Sequence, residues 1–219
     1  MRDYMERLRA ADDLLVTDRE IDPEFELAAI TQKVQKTSNK AVLFNHVKGS
    51  NLPVLTNTYG SRKRLADILG IVPTDFCRQW TRLTDLGSAA AGPLKREVPI
   101  PNDLIDCKLS DLPLITYCER DAGPYFTSAL FVANEPETGV PNLSFHRSMY
   151  VSDDELRARL APRHHLTLYH EKAEKMGQYL EAAMLIGPLP EVFLAAAAPV
   201  PYDVDELEVA AKLMGRTLE

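Results

Sequence analysis

The chain has 219 residues, of which 45% are hydrophobic and 26% charged, with 25 Lys and Arg against 32 Asp and Glu for a formal net charge of −7. That balance suits one large domain or two small ones and is enough to bury a core. The acidic excess argues against sequence-independent nucleic-acid binding and against docking on anionic membranes, because both need clustered Lys and Arg.

In chain order, Met1 to Ala11 reads as a short polar helix and Leu14 to Val16 as the start of a strand. Asp22 and Pro23 form a helix-start pair, with Asp22 as the cap and Pro23 at the first helical position. Phe25, Leu27, Ile30 and Val34 follow at roughly helical spacing. Ala41 to Val47 and Pro53 to Thr56 are β-rich runs joined by the turn Lys48 to Asn51. Ser61 caps a predicted helix that Gly70 ends, and another helix is predicted over Thr74 to Leu86. Ala89 to Asp103 holds three prolines and no clear period, so it reads as a linker or crossing segment.

The second half is richer in strand signals. Phe126 to Ala133 is predicted as one buried strand, Glu135 to Gly139 as a hairpin loop, and Asn142 to Val151 as the returning strand. A polar helix is expected over His164 to Met176, ended by Gly177, and a short buried strand over Ala182 to Ile186. Helices are expected over Pro190 to Ala198 and Asp205 to Met214. The predicted division is an N-terminal α/β domain over 1–88, a crossing segment over 89–110 and a second domain over 111–219.

No G-x-G-x-x-G, P-loop or G-x-S-x-G motif occurs, and His164 and His165 have no partner at metalloprotease spacing. Cys77, Cys107 and Cys118 are odd in number and never spaced C-x-x-C, which argues against a disulfide framework or cysteine zinc site and predicts small buried or half-buried thiols. The charged N-terminal stretch has no signal-peptide core, and no run approaches the ~18 apolar residues of a membrane span. The expectation is a soluble cytoplasmic protein.

A series of short motifs, each weak alone, is specific in its order and spacing: Asp111-Leu-Pro-Leu-Ile115, Gly123-Pro-Tyr-Phe-Thr127, Pro136-Glu-Thr-Gly139, Asn142-Leu-Ser-Phe-His-Arg147, Arg163-His-His165, Pro199-Val-Pro-Tyr-Asp-Val-Asp-Glu206 and Gly215-Arg-Thr-Leu-Glu219. In these motifs the chain resembles the UbiD family of decarboxylases, which use prenylated FMN. The resemblance covers the whole chain and is less specific over 1–88. It implies an α/β fold in which the N-terminal α/β domain precedes part of a split β-barrel flavin-binding domain.

The resemblance also implies a metal site of Asn142, His165 and Glu206, holding manganese or magnesium together with the flavin phosphate, with potassium as a further candidate ion. An amide, an imidazole and a carboxylate make a mixed shell that suits those metals better than zinc. It places Ser144, Phe145, His146, Arg147, His164, Ala197, Ala198 and Pro199 along the flavin. Arg147 would grip a substrate carboxylate, a task that suits a planar guanidinium. Each residue also has a plain structural reading: Asn142 as a turn residue, His165 at a solvated helix start, Glu206 in an acid-favouring first turn, Arg147 on an edge strand. Asn142 and Arg147 differ by an odd number, so one regular strand would point them to opposite faces, and a bulge or a cofactor spanning both must reconcile them.

The implied function is a subunit or fragment of a reversible carboxy-lyase for aromatic or α,β-unsaturated acids. The family's catalytic acid pair falls beyond Glu219, so a second polypeptide or remaining half, and an oligomer, are expected. The alternatives are a non-catalytic flavin- or phosphate-binding subunit and a flavin reductase-like protein.

Overall fold

A computed structural model of the chain describes residues 1–85 and 105–215. The crossing segment Ala89 to Asp103 and residues 216–219 of the last motif lie outside the described residues. The helices are α1 (Arg2–Ala10), α2 (Glu26–Lys36), α3 (Arg62–Leu69), α4 (Phe76–Thr84), α5 (His165–Lys175), α6 (Pro190–Ala195) and α7 (Glu206–Met214). The strands are β1 (Leu14–Ile21), β2 (Ala41–Val47), β3 (Val54–Thr56), β4 (Tyr125–Phe126), β5 (Leu130–Asn134), β6 (Pro141–Phe145), β7 (Ser148–Ser152), β8 (Glu155–Ala158) and β9 (Ala182–Leu185). They form three three-stranded sheets, ordered β1-β2-β3, β4-β7-β8 and β6-β5-β9, and none of these closes into a barrel among the described residues. No helix among the described residues is long and apolar enough to cross a membrane.

Two compact units interleave along the chain. The first draws its described residues from Met1–Leu65, Leu104–Thr127 and Arg147–Ala158, and the second from Ala66–Asp103, Ser128–His146 and Arg159–Glu219.

In the first unit β1 and β2 run parallel, so the chain must cross over between them, and α2 makes that crossing. β2 is the central strand, and its apolar run fits burial on both faces: Ala41 to Phe44 are all buried. Its side chains Val42, Phe44 and Val47 pack with Ile21, Leu27 and Ile115 into one core, each contributing about 1.5–3 kcal/mol through burial. α2 starts at Glu26, three residues later than predicted. Pro23 and Phe25 are tied by backbone hydrogen bonds to Thr116, at 3.2 and 3.0 Å, and Phe25 takes φ of 67°. Asp22 therefore caps a turn, accepting the Glu24 amide at 2.9 Å, and does not cap the helix.

The predicted strand over Phe126 to Ala133 is two strands, β4 and β5, which belong to different sheets. The predicted return over Asn142 to Val151 likewise divides into β6 and β7, with His146 and Arg147 between them. This break removes the parity problem, since Asn142 and Arg147 do not share one strand. β8 was not predicted. Its sequence, Glu155 to Ala158, has no β-branched or aromatic residue, and it forms by backbone pairing to β7.

In the second unit β5 pairs antiparallel with β6 and β9. Leu130 and Leu143 pack against Val192, Ala195, Val209 and Ala210 of α6 and α7. β9 is not the buried strand predicted: Ala182 and Ala183 are exposed and the following Ile186 is 52% exposed. α6 stops at Ala195, short of the expected Ala198. The amides of Ala197 and Ala198 turn back to the carbonyls three residues earlier, at 3.0 and 2.9 Å, tightening the chain ahead of Pro199. All three cysteines are exposed, against the expectation of buried thiols: Cys77 lies on the solvent face of α4, Cys107 in a segment without regular structure and Cys118 at a bend.

Candidate metal centre and cofactor site

Pairing of β5 with β6 sets Asn142 opposite Ala133 and buries it to 2% exposure. Glu206 opens α7 behind the capping residue Asp205, whose carboxylate accepts the Leu207 amide at 2.7 Å. From there Glu206 reaches β6. Its Oε1 accepts from Asn142 Nδ2 at 2.8 Å, and its Oε2 accepts the Leu143 amide at 2.9 Å. His165 opens α5 and brings Nδ1 to 3.8 Å from the same Oε1. Residues from β6, α5 and α7 thus meet at one carboxylate oxygen. Of the adjacent histidines, His165 faces Glu206, while the exposed His164 lies with its ring 6.2 Å from that of His146.

Burial pushes the Glu206 carboxyl up to about 7, against the Leu143 amide and Asn142, which pull it down. Burial likewise pushes Asp205 up to about 6. Burial, and then the neighbouring His164, holds His165 below the ordinary histidine value and keeps its ring neutral. Asp205 Oδ2 and the Tyr169 hydroxyl are buried with no hydrogen-bond partner among the described residues. A buried carboxyl that can give up its proton, a neutral imidazole and an amide are the types of ligand that a hard divalent cation binds. Among the described residues no cluster of three or more His, Cys, Asp and Glu is arranged for a metal. Asn142 supplies the third ligand type, and with it the residues fit a divalent cation.

A second charged group stands beside this one. Glu135, at the end of β5, is 2% exposed. Its Oε2 accepts the amides of Glu137 and Thr138 at 2.7 and 2.5 Å, and its Oε1 pairs with Lys172 of α5 and accepts from the Tyr202 hydroxyl at 3.4 Å. Burial raises the Glu135 pKa, but Lys172 and the two amides outweigh it and hold the group down at about 2. The Tyr202 ring stands edge-on to His165 at 5.5 Å and to Tyr169 at 5.3 Å. Sequence reasoning missed Glu135, Tyr169, Lys172 and Tyr202. A signal existed for two of them: Tyr169 and Lys172 fall about one and two turns beyond His165 on the same helix face.

The other predicted residues are placed as follows. The Ser144 hydroxyl lies 2.8 Å from Asn142 Oδ1 and 2.9 Å from His146 Nε2, and Phe145 stands edge-on to Phe193 at 4.8 Å. Arg147 is exposed and belongs to the other compact unit, where its guanidinium lies 6.0 Å from the Tyr125 ring centroid. Ala197 and Pro199 are exposed, and Ala198 packs on the core of the second unit.

Two family models match the chain: the 3-octaprenyl-4-hydroxybenzoate carboxy-lyase N-terminal domain over residues 5–84 and the Rift-related domain of the same family over residues 88–219. The chain belongs to the UbiD family. An anhydromevalonate phosphate decarboxylase of Methanosarcina mazei is 34% identical over 218 residues, which are 100% of this chain and 49% of the relative. Its counterpart in Methanothermobacter thermautotrophicus is 32% identical, over 96% of this chain and 48% of that protein. Among solved structures, the UbiD-class enzyme HmfF from Pelotomaculum thermopropionicum in complex with FMN superposes with a TM-score of 0.86 at 32% identity, covering 100% of this chain and 49% of that one. The closed form of the vanillic acid decarboxylase of Sedimentibacter hydroxybenzoicus gives 0.86 at 28% identity, covering 98% and 48%. The chain spans about half the length of the relatives it matches.

Proposed function

We propose that this chain forms part of a prenylated-FMN- and divalent-metal-dependent carboxy-lyase that removes, or reversibly adds, the carboxyl group of an aromatic or α,β-unsaturated acid. One observation carries the reading: half-buried His165 and buried Asn142 converge on Oε1 of the buried Glu206. Its support from relatives is that HmfF has been solved with FMN and, in an evolved dimeric form, with prFMN. The named relatives are decarboxylases.

In the overall reaction the bond to the carboxyl carbon breaks, carbon dioxide leaves, and a proton takes its place. The bound flavin supplies an electron sink for the pair released when that bond breaks. Asn142, His165 and Glu206 would hold the metal, which would supply positive charge beside the flavin phosphate. The backbone and side chains of Ser144, Phe145 and His146 line the cofactor. Arg147 grips the substrate carboxylate through two parallel N–H donors and leaves the reacting carbon free. The product's proton is assigned to no residue of this chain. A cytoplasmic setting suits the three exposed free cysteines, which need a reducing compartment.

The test is native mass spectrometry of the protein purified from its own source, followed by decarboxylation assays. The expected mass includes a prenylated flavin and a divalent metal, and Asn142→Ala loses the metal. A protein that carries neither, and cannot be loaded with either, rules the proposal out.

A further inference from the structure

Behind Asn142 stand three polar groups in a row, and they bear on how its amide meets the metal proposed above. Ser144 Oγ is 2.8 Å from Asn142 Oδ1 and 2.9 Å from His146 Nε2. His146 Nδ1 is 3.1 Å from the carbonyl oxygen of Arg159. His146 is 3% exposed, with the Phe131 ring edge-on at 5.9 Å.

The protons can be followed from the far end. A backbone carbonyl only accepts, so His146 Nδ1 carries a hydrogen. Burial holds the His146 pKa below its ordinary value, opposed by the Arg159 carbonyl and reinforced by His164. The ring is neutral, so Nε2 is an acceptor. The single hydroxyl hydrogen of Ser144 then goes to Nε2, and Ser144 Oγ has only lone pairs left for Asn142. Lone pairs call for the amide NH2. A carboxamide fills nearly the same space after a half-turn that exchanges its oxygen and nitrogen. The half-turn that offers NH2 to Ser144 aims Oδ1 at Glu206. Two facing oxygens repel unless a cation or a proton lies between them. In the opposite orientation, with Nδ2 on Glu206 Oε1 at 2.8 Å, Ser144 gives its hydrogen to Asn142 and leaves His146 Nε2 facing a lone pair.

We propose that His146, acting through Ser144, is a positioning residue that turns the Asn142 carbonyl oxygen toward Glu206 and so prepares the amide to ligate a divalent cation. The inference rests on the metal-centre reading. It gives the two side chains a task separate from lining the flavin.

The test titrates Mn2+ alone into the flavin-free protein at its natural length and follows the unbound ion by electron paramagnetic resonance. Ser144→Ala and His146→Leu each weaken Mn2+ binding by about 10–100-fold, the range for groups that orient a metal ligand. The two act in series, so the double variant is no weaker than the worse single. His146→Gln, which offers one N–H and one acceptor as the neutral ring does, recovers part of the loss. Losses that add in the double variant overturn the relay. So does Ser144→Ala with unaltered Mn2+ affinity when Asn142→Ala has lost it, and this variant decides the matter alone if His146→Leu does not fold. Unaltered affinity in Asn142→Ala overturns the metal centre itself, and the relay falls with it.

Discussion

Glu206 and Asn142 lie 64 positions apart in sequence, yet the amide of one donates to the carboxylate of the other at 2.8 Å inside the protein. The same carboxylate holds the next backbone amide of β6, that of Leu143, at 2.9 Å. One side chain therefore joins the first turn of α7 to β6 and also stands at the focus of the candidate metal centre.

Replacing Glu206 separates those two tasks. Glu206→Gln keeps an acceptor for Leu143 and removes a buried charge. The metal-free variant melts no lower than wild type, but Mn2+ no longer raises its melting temperature. In wild type a metal concentration about 100 times Kd adds about 2.7 kcal/mol. Calorimetric melts with and without Mn2+ check this, and a Glu206→Gln protein that still gains stability from the metal would remove Glu206 from the site.

The pH dependence follows from the same group. Burial raises the Glu206 pKa from 4.5 to about 7, so the folded state holds this proton more tightly than the unfolded state. Its contribution to stability therefore falls as pH rises between those values. His146 and His165, both shifted down, act in the opposite direction at the lower end. Comparison with Glu206→Gln isolates the carboxyl: metal-free wild type loses stability relative to the variant between pH ~5 and ~8. Denaturant titrations at several pH values measure the difference. A constant difference contradicts the prediction.

Lys172 balances Glu135. Lys172→Met leaves Glu135 buried with its two backbone donors but no cation, and costs about 1–3 kcal/mol. The double variant Glu135→Gln with Lys172→Met recovers part of that loss. Because Glu135 is held at about 2, its contribution is present above its ordinary value of 4.5 and disappears as pH falls toward 2. Urea unfolding of the single and double variants tests the pair, and equal stability in all of them would show that it contributes nothing.

Arg147→Ala abolishes turnover and leaves the flavin content intact. Arg147→Lys does not restore activity, because a point charge cannot reproduce the two-pronged grip of a guanidinium. Flavin absorbance and decarboxylation rate, measured on one preparation, separate the outcomes. Loss of flavin together with activity would make Arg147 a cofactor ligand.

The helices of this chain were legible because their apolar spacing is local: the ends of α3, α5 and α7 lie within a residue or two of their caps and glycines. The strand breaks were not. Phe126 to Ala133 and Asn142 to Val151 contain no Gly or Pro to break them, and only the switch from one sheet to another cuts them. β8 depends on its partner β7 and leaves no mark in its own residues. The candidate ligands Asn142, His165 and Glu206 came from the order of short motifs, since residues so widely spaced show no common period. Glu135 was hidden differently. In a loop of Glu, Pro, Thr and Gly it reads as a solvated acid, and nothing local signals that Lys172 buries it.

The closed hairpin has a practical side for anyone modifying this protein. By composition, Glu135 to Gly139 is the obvious place to splice in a tag or a protease site. There the Glu135 carboxylate is wrapped by the amides of its own turn, at 2.7 and 2.5 Å, so an insert would pull a buried acid away from its donors. The stretch after Gly177, where Tyr179 is 98% exposed, is the better port of entry.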